Sequence, residues 1–288
     1  MKVLVAGRSG QLGQELVIRS PQGWQITALG SGEMDIRNRL AVSGVIEELQ
    51  PDLIINAAAY TAVDQAESEP DVAYALNGHG VAHLAEAAKS VAAKFIHIST
   101  DFVFDGRNFT PYLISDRPNP ISVYGASKLE GERLAAAFCG ADALIIRTSW
   151  LYGAHGKNFV TTMLKLMAER DELRVVADQI GTPTWTGGLA DAIYRFAGLE
   201  VSGVQHWSDS GVASWYDFAI AIQEEALAMG VLDRLIPVLP IRSEEYPTPA
   251  RRPAYSVLDK SETWQLFGEH APHWRVNLRK MLSELKEL

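Results

Sequence analysis

The 288-residue chain holds a single cysteine, Cys139, which excludes an internal disulfide framework and suits a reducing compartment. Cys139 follows an Ala-rich stretch and reads as a packing residue. Basic runs are absent and the net charge is −9, so a nucleic-acid surface is excluded, although a nucleotide held by local groups is not. The chain also lacks an uncharged apolar run of about 18 residues, so no membrane crossing is expected. Met1–Gly7 enters a strand directly without a leader-like segment, and a cytoplasmic location is expected. Of the seven histidines only His79 and His83 are spaced H-x-x-x-H, and they have no cysteine company, so no zinc site is expected. Internal repeats and low-complexity segments are missing as well.

What is present is an alternation of short apolar runs and amphipathic stretches. Strands are expected at Lys2–Ala6, Trp24–Leu29, Leu53–Ala57, Phe95–Ile98 and Ala143–Arg147. Helices are expected at Gln11–Arg19, Leu40–Leu49, Asp71–Lys89 and within Pro120–Phe138. The strands are continuously apolar, the mark of a parallel sheet covered on both faces. An α/β fold follows, a Rossmann-type doubly wound sheet with a smaller, mostly C-terminal substrate-binding lobe. The texture changes after Trp150, with candidate strands at Leu173–Val176 and Val204–Trp207 and a Pro-rich stretch from Pro237 to Pro253. Residues 1–150 are therefore expected as a dinucleotide-binding domain, and 151–288 as the lobe, with the chain free to cross back.

Gly7-Arg8-Ser9-Gly10-Gln11-Leu12-Gly13 lies between the first strand and helix. Gly7 permits the tight turn, Gly10 lets backbone approach a pyrophosphate, and Gly13 lets helix and strand pack closely. The helix N-terminus then offers free N–H groups and a positive dipole end to phosphates. Further on, Ser99-Thr100 closes an apolar run, and Tyr124 and Lys128 stand four apart on one helix face. There an ammonium can lower a phenol's pKa and poise it for proton exchange. The second strand ends Leu29-Gly30-Ser31 with no acid, and Glu33 and Asp35 fall beyond it. An acid at that end would repel a 2′-phosphate, whereas Arg8 and Ser31 can face one. NADPH is the expected cofactor, with NADH an alternative donor.

The glycine turn, strand-end Thr100 and Tyr124/Lys128 pair, in that order, resemble the short-chain dehydrogenase/reductase superfamily. Longer blocks are more specific: Asn56-Ala57-Ala58-Ala59-Tyr60-Thr61-Ala62-Val63-Asp64, Ser99-Thr100-Asp101-Phe102-Val103-Phe104-Asp105-Gly106, Arg147-Thr148-Ser149-Trp150, Asp178-Gln179-Ile180-Gly181-Thr182-Pro183 and Tyr246-Pro247-Thr248-Pro249-Ala250-Arg251-Arg252-Pro253. They cover essentially the whole chain and resemble the dTDP-4-dehydrorhamnose reductase family. That resemblance implies reduction of the C4 ketone of dTDP-4-dehydro-L-rhamnose to dTDP-L-rhamnose. It implies that Tyr124 protonates the C4 oxygen, that Lys128 lowers the Tyr124 pKa and holds the nicotinamide ribose, and that Thr100 orients the carbonyl. It places Gly10, Gln11 and Leu12 under the pyrophosphate, Asp35 and Ile36 beside the adenine, and Ala59, Tyr60 and Thr61 along the cofactor. Asp101 and Trp150 are expected to line the sugar pocket, and Arg252 is the candidate for the sugar-nucleotide diphosphate.

Two rivals remain open. One is a non-catalytic regulatory subunit on the same fold; the other is a reductase or epimerase of a different nucleotide sugar. The chain is expected to act as a monomer or homodimer. Some members of the family are metal-bridged dimers held by glutamates. Glu15 stands at one such position, but Gly187 stands where another acid is expected, so no metal is carried over. Glu67 and Glu69 read as solvated acids at a helix start, Trp215, Tyr216 and Phe218 as lobe core, and Asn77 as either a structural amide or a contact behind the cofactor.

Overall fold

Six strands pair side by side in a single parallel sheet, the central ones mostly apolar. A computed structural model describes residues 1–288, the side chain of Ala141 excepted. The strands are β1 (Lys2–Ala6), β2 (Gln25–Leu29), β3 (Leu53–Asn56), β4 (Lys94–Thr100), β5 (Ala143–Thr148) and β6 (Gly203–His206). Their order is β2-β1-β3-β4-β5-β6, all parallel. Alternating side chains go to opposite faces. Val3 and Val5 join a cluster on one face, and Leu4 and Ala6 join a cluster on the other.

Helices cover both faces. On one side lies α1 (Gln11–Ile18), through Leu12 and Leu16. On the other lie α2 (Arg39–Leu49), through Val42 and Ile46, and α3 (Gly80–Ser90), through Leu84 and Ala88. The long helix expected over Asp71–Lys89 begins at Pro70 and contains a π-helical turn at Ala75–His79 before α3. Helix α4 (Val123–Cys139) is capped by Ser122, whose hydroxyl accepts the Gly125 N–H at 3.2 Å. Cys139 is buried, its thiol donating to the Ala85 carbonyl, and burial pushes it up to about 11.

After β5 the chain leaves the sheet. Helix α5 (Phe159–Glu169) begins a second core around Tyr152, Val160, Met167 and Trp185. Helix α6 (Thr186–Ala197) then returns to the α1 side of the sheet, placing Leu189, Ile193 and Phe196 against it. The strand expected at Val204–Trp207 is β6, hydrogen-bonded to β5 in the main sheet and not to the lobe. Helices α7 (Trp215–Ala228) and α8 (Trp274–Glu287) complete the second core through Phe218, Ile222 and Leu278. Among the described residues no helix is long and apolar enough to cross a membrane.

Candidate active site

The strand order reverses between β1 and β3, and open α/β sheets bind ligands in the crevice outside the strand ends at such a point. The glycine turn sits on one side of it. Gly7 has φ +96°, and a Cβ there would stand 2.6 Å from the Ala58 nitrogen. A Cβ on Gly13 would stand 2.1 Å from the Gly7 carbonyl oxygen. Protein packing alone therefore demands both. Gly10 differs: the nearest atom to its Cβ would be the Gly7 oxygen at 3.5 Å, an ordinary contact. Its missing side chain leaves the start of α1 open, where the amides of Gln11, Leu12 and Gly13 have no intrahelical acceptor. This uncapped terminus fits a diphosphate. Gln11 Nε2 donates to the Leu151 carbonyl at 3.3 Å, tying the turn to the segment after β5.

Beyond β2 the backbone doubles back. The Glu33 carboxylate accepts the Gly30 N–H at 2.9 Å and lies 3.6 Å from Arg8, so an acid does reach the strand end. Glu33 lies four residues past Leu29 in sequence, and this turn is what brings it back. Asp35 is paired with Arg37 at 2.7 Å, and Ile36 is buried with its carbonyl 2.9 Å from His83 Nδ1.

Ala59, Tyr60 and Thr61 follow β3 across the crevice, held from below by Asn77. The Asn77 amide accepts the Tyr60 N–H at 2.8 Å and donates to the Tyr60 carbonyl and the Ser127 hydroxyl, each at 3.0 Å. Asn77 is fully buried on the π-helical turn, a local irregularity that often accompanies functional sites. Glu67 and Glu69, read from sequence as solvated acids, both hold part of the site. Glu67 accepts the Val123 N–H in the first turn of α4 at 2.8 Å, and Glu69 accepts the Tyr60 hydroxyl at 2.9 Å.

Thr100 ends β4 and Tyr124 sits in the first turn of α4, which brings the Thr100 hydroxyl near the phenol. The Thr100 hydroxyl also donates to Asp101 at 3.0 Å and accepts the Phe102 N–H at 3.2 Å. Phe102 meets the Tyr124 ring edge-on, with centroids 5.5 Å apart. Asp101 is buried, and desolvation pushes its carboxyl up to about 6 against the Ser256 and Thr100 hydroxyls. The expected lowering of the Tyr124 pKa is not what the structure holds. Burial pushes the phenol up to about 12, the Thr100 hydroxyl nearby opposes the rise, and Asp101 adds to it. The reason lies in Lys128, whose Nζ donates to the Ile98 carbonyl at 2.6 Å and rests 3.5 Å from His97 Nε2. Its cation is drawn beneath β4, and burial lowers it to about 8 while Glu132 opposes the shift.

On the lobe side, Trp150 has φ +46° and stacks on Trp215, centroids 3.5 Å apart and planes within 4°. Trp215, expected as lobe core, thus faces the site residue directly, while Phe218 is core. Arg252 is engaged by the protein itself. Its guanidinium grips Asp64 bidentately at 2.7 and 3.0 Å, and also reaches Thr248 Oγ1 at 2.6 Å. The fork expected for a diphosphate is spent on fastening the 246–253 loop to the short helix Val63–Ala66. Glu15 is also engaged: Arg19 pairs with it at 2.8 Å, and with Glu284 and Asp191 at 2.7 and 3.4 Å. A Cβ on Gly187 would stand 2.8 Å from the Arg19 guanidinium carbon. A cation belonging to the chain therefore sits among these acids already, and a bridging metal does not fit them.

A doubly wound parallel sheet, a glycine turn at its reversal point and a Thr/Tyr/Lys set along β4 and α4 define the short-chain dehydrogenase/reductase class. The family model described as "RmlD substrate binding domain" matches residues 1–287. A dTDP-4-dehydrorhamnose reductase of Burkholderia thailandensis is 43% identical, the alignment covering 99% of this chain and 100% of that protein. The chain belongs to the dTDP-4-dehydrorhamnose reductase family. Solved structures agree. A Clostridium acetobutylicum dTDP-4-dehydrorhamnose reductase superposes with a TM-score of 0.94 at 40% identity, covering 99% of this chain and 100% of that one. The Bacillus anthracis enzyme, in complex with NADP, superposes at 0.92 with 38% identity, covering 98% and 99%.

Proposed function

We propose that this protein reduces the C4 ketone of dTDP-4-dehydro-L-rhamnose to dTDP-L-rhamnose with NADPH, admitting NADH as an alternative donor. The bound nicotinamide supplies hydride to C4. Gly7, Gly10 and Gly13 shape the turn, and the amides of Gln11 and Leu12 receive the pyrophosphate. Asp35 and Ile36 flank the adenine, and Ala59, Tyr60 and Thr61 border the cofactor. Thr100 orients the ketone oxygen, and Tyr124 gives that oxygen its proton. A phenol raised by burial is fully protonated at neutral pH, the form a general acid needs. Lys128 leaves the Ile98 carbonyl to take the nicotinamide ribose and stabilises the phenolate left behind. Asp101 lines the sugar pocket, and Trp150, backed by Trp215, forms an apolar wall. Arg252 reaches the sugar-nucleotide diphosphate only by giving up Asp64.

The observation that carries this reading is the Tyr124 phenol in the first turn of α4 beside Thr100 at the end of β4, on the edge of the cofactor crevice. It disfavours a non-catalytic subunit, which has no need of a placed proton donor. We read residues 1–150 with the returning segment 186–206 as the dinucleotide-binding unit, and the rest of 151–288 as the substrate lobe. We also read the enzyme as a cytoplasmic monomer or homodimer. The test is NADPH oxidation with dTDP-4-dehydro-L-rhamnose, followed at the nicotinamide absorbance. Turnover is expected, and Tyr124→Phe should cut kcat by about 10²–10⁴-fold without loss of fold. No turnover by the parent, or near-native kcat in the variant, would overturn the assignment.

A further inference from the structure

We propose that His97 is a positioning residue of the reduction, fixed by Asn56 so that a ring N–H faces Lys128 and governs where that lysine rests and when it carries charge. The proposal depends on the role given to Lys128 above. His97 lies in β4 opposite Asn56 of β3 in the sheet register, and both are fully buried. The Asn56 Oδ1 accepts the Ala58 N–H at 3.1 Å, which turns its Nδ2 toward His97 Nδ1, also at 3.1 Å. An amide nitrogen only donates, so Nδ1 carries the lone pair and the ring proton is on Nε2. Burial, with the Lys128 charge adding, holds the imidazole well below its ordinary pKa, so the ring is neutral.

Nε2 is the atom 3.5 Å from Lys128 Nζ. An ammonium has donors only, so two donors oppose each other there, whereas a neutral amine would accept the ring N–H. The same opposition makes the pocket under Ile98 a poor long-term site for the charged lysine, which favours its release to acceptors on the ribose. The other groups facing Lys128 are few. Glu132 lies one turn further along α4 and is paired with Arg147 of β5 at 2.7 Å. Tyr124 lies one turn earlier, and Asn77 and Ser127 are neutral. His97 is therefore the one titratable ring set against the lysine, and Asn56 fixes its tautomer.

Two substitutions separate tautomer from packing. His97→Phe keeps a flat ring but removes the opposing donor. Asn56→Asp keeps the shape but replaces a donor with an acceptor, drawing the ring proton to Nδ1 and turning a lone pair toward Lys128. In both, the alkaline limb of kcat/KM for NADPH, which reports the free enzyme, should move upward by about one pH unit. His97→Gln can accept from Asn56 and donate toward Lys128, and should restore the parental limb. A merely structural His97 would lower thermal stability and leave the limb in place, which overturns the proposal. Movement in Asn56→Asp but not in His97→Phe would show an effect of added charge alone and overturn it equally. Lys128→Met is measured alongside: if it keeps the parental profile and cofactor affinity, the reading of Lys128 itself is wrong. If it loses both while His97→Phe matches the parent, only the positioning role falls.

Discussion

Replacing Asn77 with alanine tests whether the crevice behind the cofactor is built by one buried amide. Its side chain makes three hydrogen bonds, two of them to the N–H and carbonyl of Tyr60 and one to Ser127. Removing it leaves the Tyr60 groups without those partners. Ser127 is less affected, because its hydroxyl still donates to the Tyr124 carbonyl at 2.8 Å. An orphaned buried polar group costs about 1–3 kcal/mol. Tyr60 is only half-buried, so water can repay part of that. A loss of about 2–4 kcal/mol in unfolding free energy is expected, read as a lower urea midpoint at unchanged slope. Ala59–Thr61 should loosen at the same time, so KM for NADPH should rise more than kcat falls. A variant with a parental urea midpoint and parental KM would refute the reasoning and leave Asn77 a bystander on a π-helical turn.

Two further outcomes can be checked directly. Arg8 and Glu33 stand together at the end of β2, so Arg8→Ala should lower the NADPH-to-NADH ratio of kcat/KM, and Glu33→Ala should raise it, each by roughly fivefold for a half-exposed charge contact worth about 1 kcal/mol; unchanged ratios in both would place the ribose elsewhere. Asp209 is buried and pushed up to about 7 by desolvation against Asn277 and the Trp185 N–H. Because its folded pKa lies above the unfolded value near 3.9, the stability it contributes is lost as pH rises through 7, on the order of 2 kcal/mol between pH 5 and 8. Denaturant titrations of Asp209→Asn should lack that decline, and an equal decline in both proteins would show that the carboxyl ionises freely.

The alternation of strands and helices was legible because each element announces itself locally. The apolar run Leu53, Ile54, Ile55 has no polar side to show, and the 3.6-residue spacing of α2 puts Val42 and Ile46 on one face. The glycine turn was legible for the same reason. A break in periodicity was harder to see: the π-helical turn at Ala75–His79 inserts into an otherwise regular helix without any breaker residue except Gly78. The return of α6 and β6 to the sheet is not legible in sequence, since a short, mixed strand such as Gly203–His206 carries no label saying which neighbour it will choose.

Partner choice separates what could be read from what could not. Tyr124 and Lys128 were paired from their spacing on a helix, and the helix is there, yet the lysine's close contacts are Ile98 and His97, about 30 positions earlier. Arg252 was assigned to a ligand because a guanidinium fork suits phosphate, but a carboxylate offers the same geometry, and Asp64, 188 positions away, supplies it. Local spacing fixes which residues share a face; it says nothing about which acceptor a cation meets once two distant segments are brought together. In a site lined by carbonyls and carboxylates, a cation is drawn to an acceptor of the protein itself. On the roles proposed for these cations, Lys128 on Ile98 and Arg252 on Asp64 are the two contacts a ligand would exchange, the first already weakened by the donor of His97 and the second a charge-assisted, bidentate pair. The spacing of the candidate residues was thus readable in the sequence, whereas the partners of these two cations became readable only from the fold.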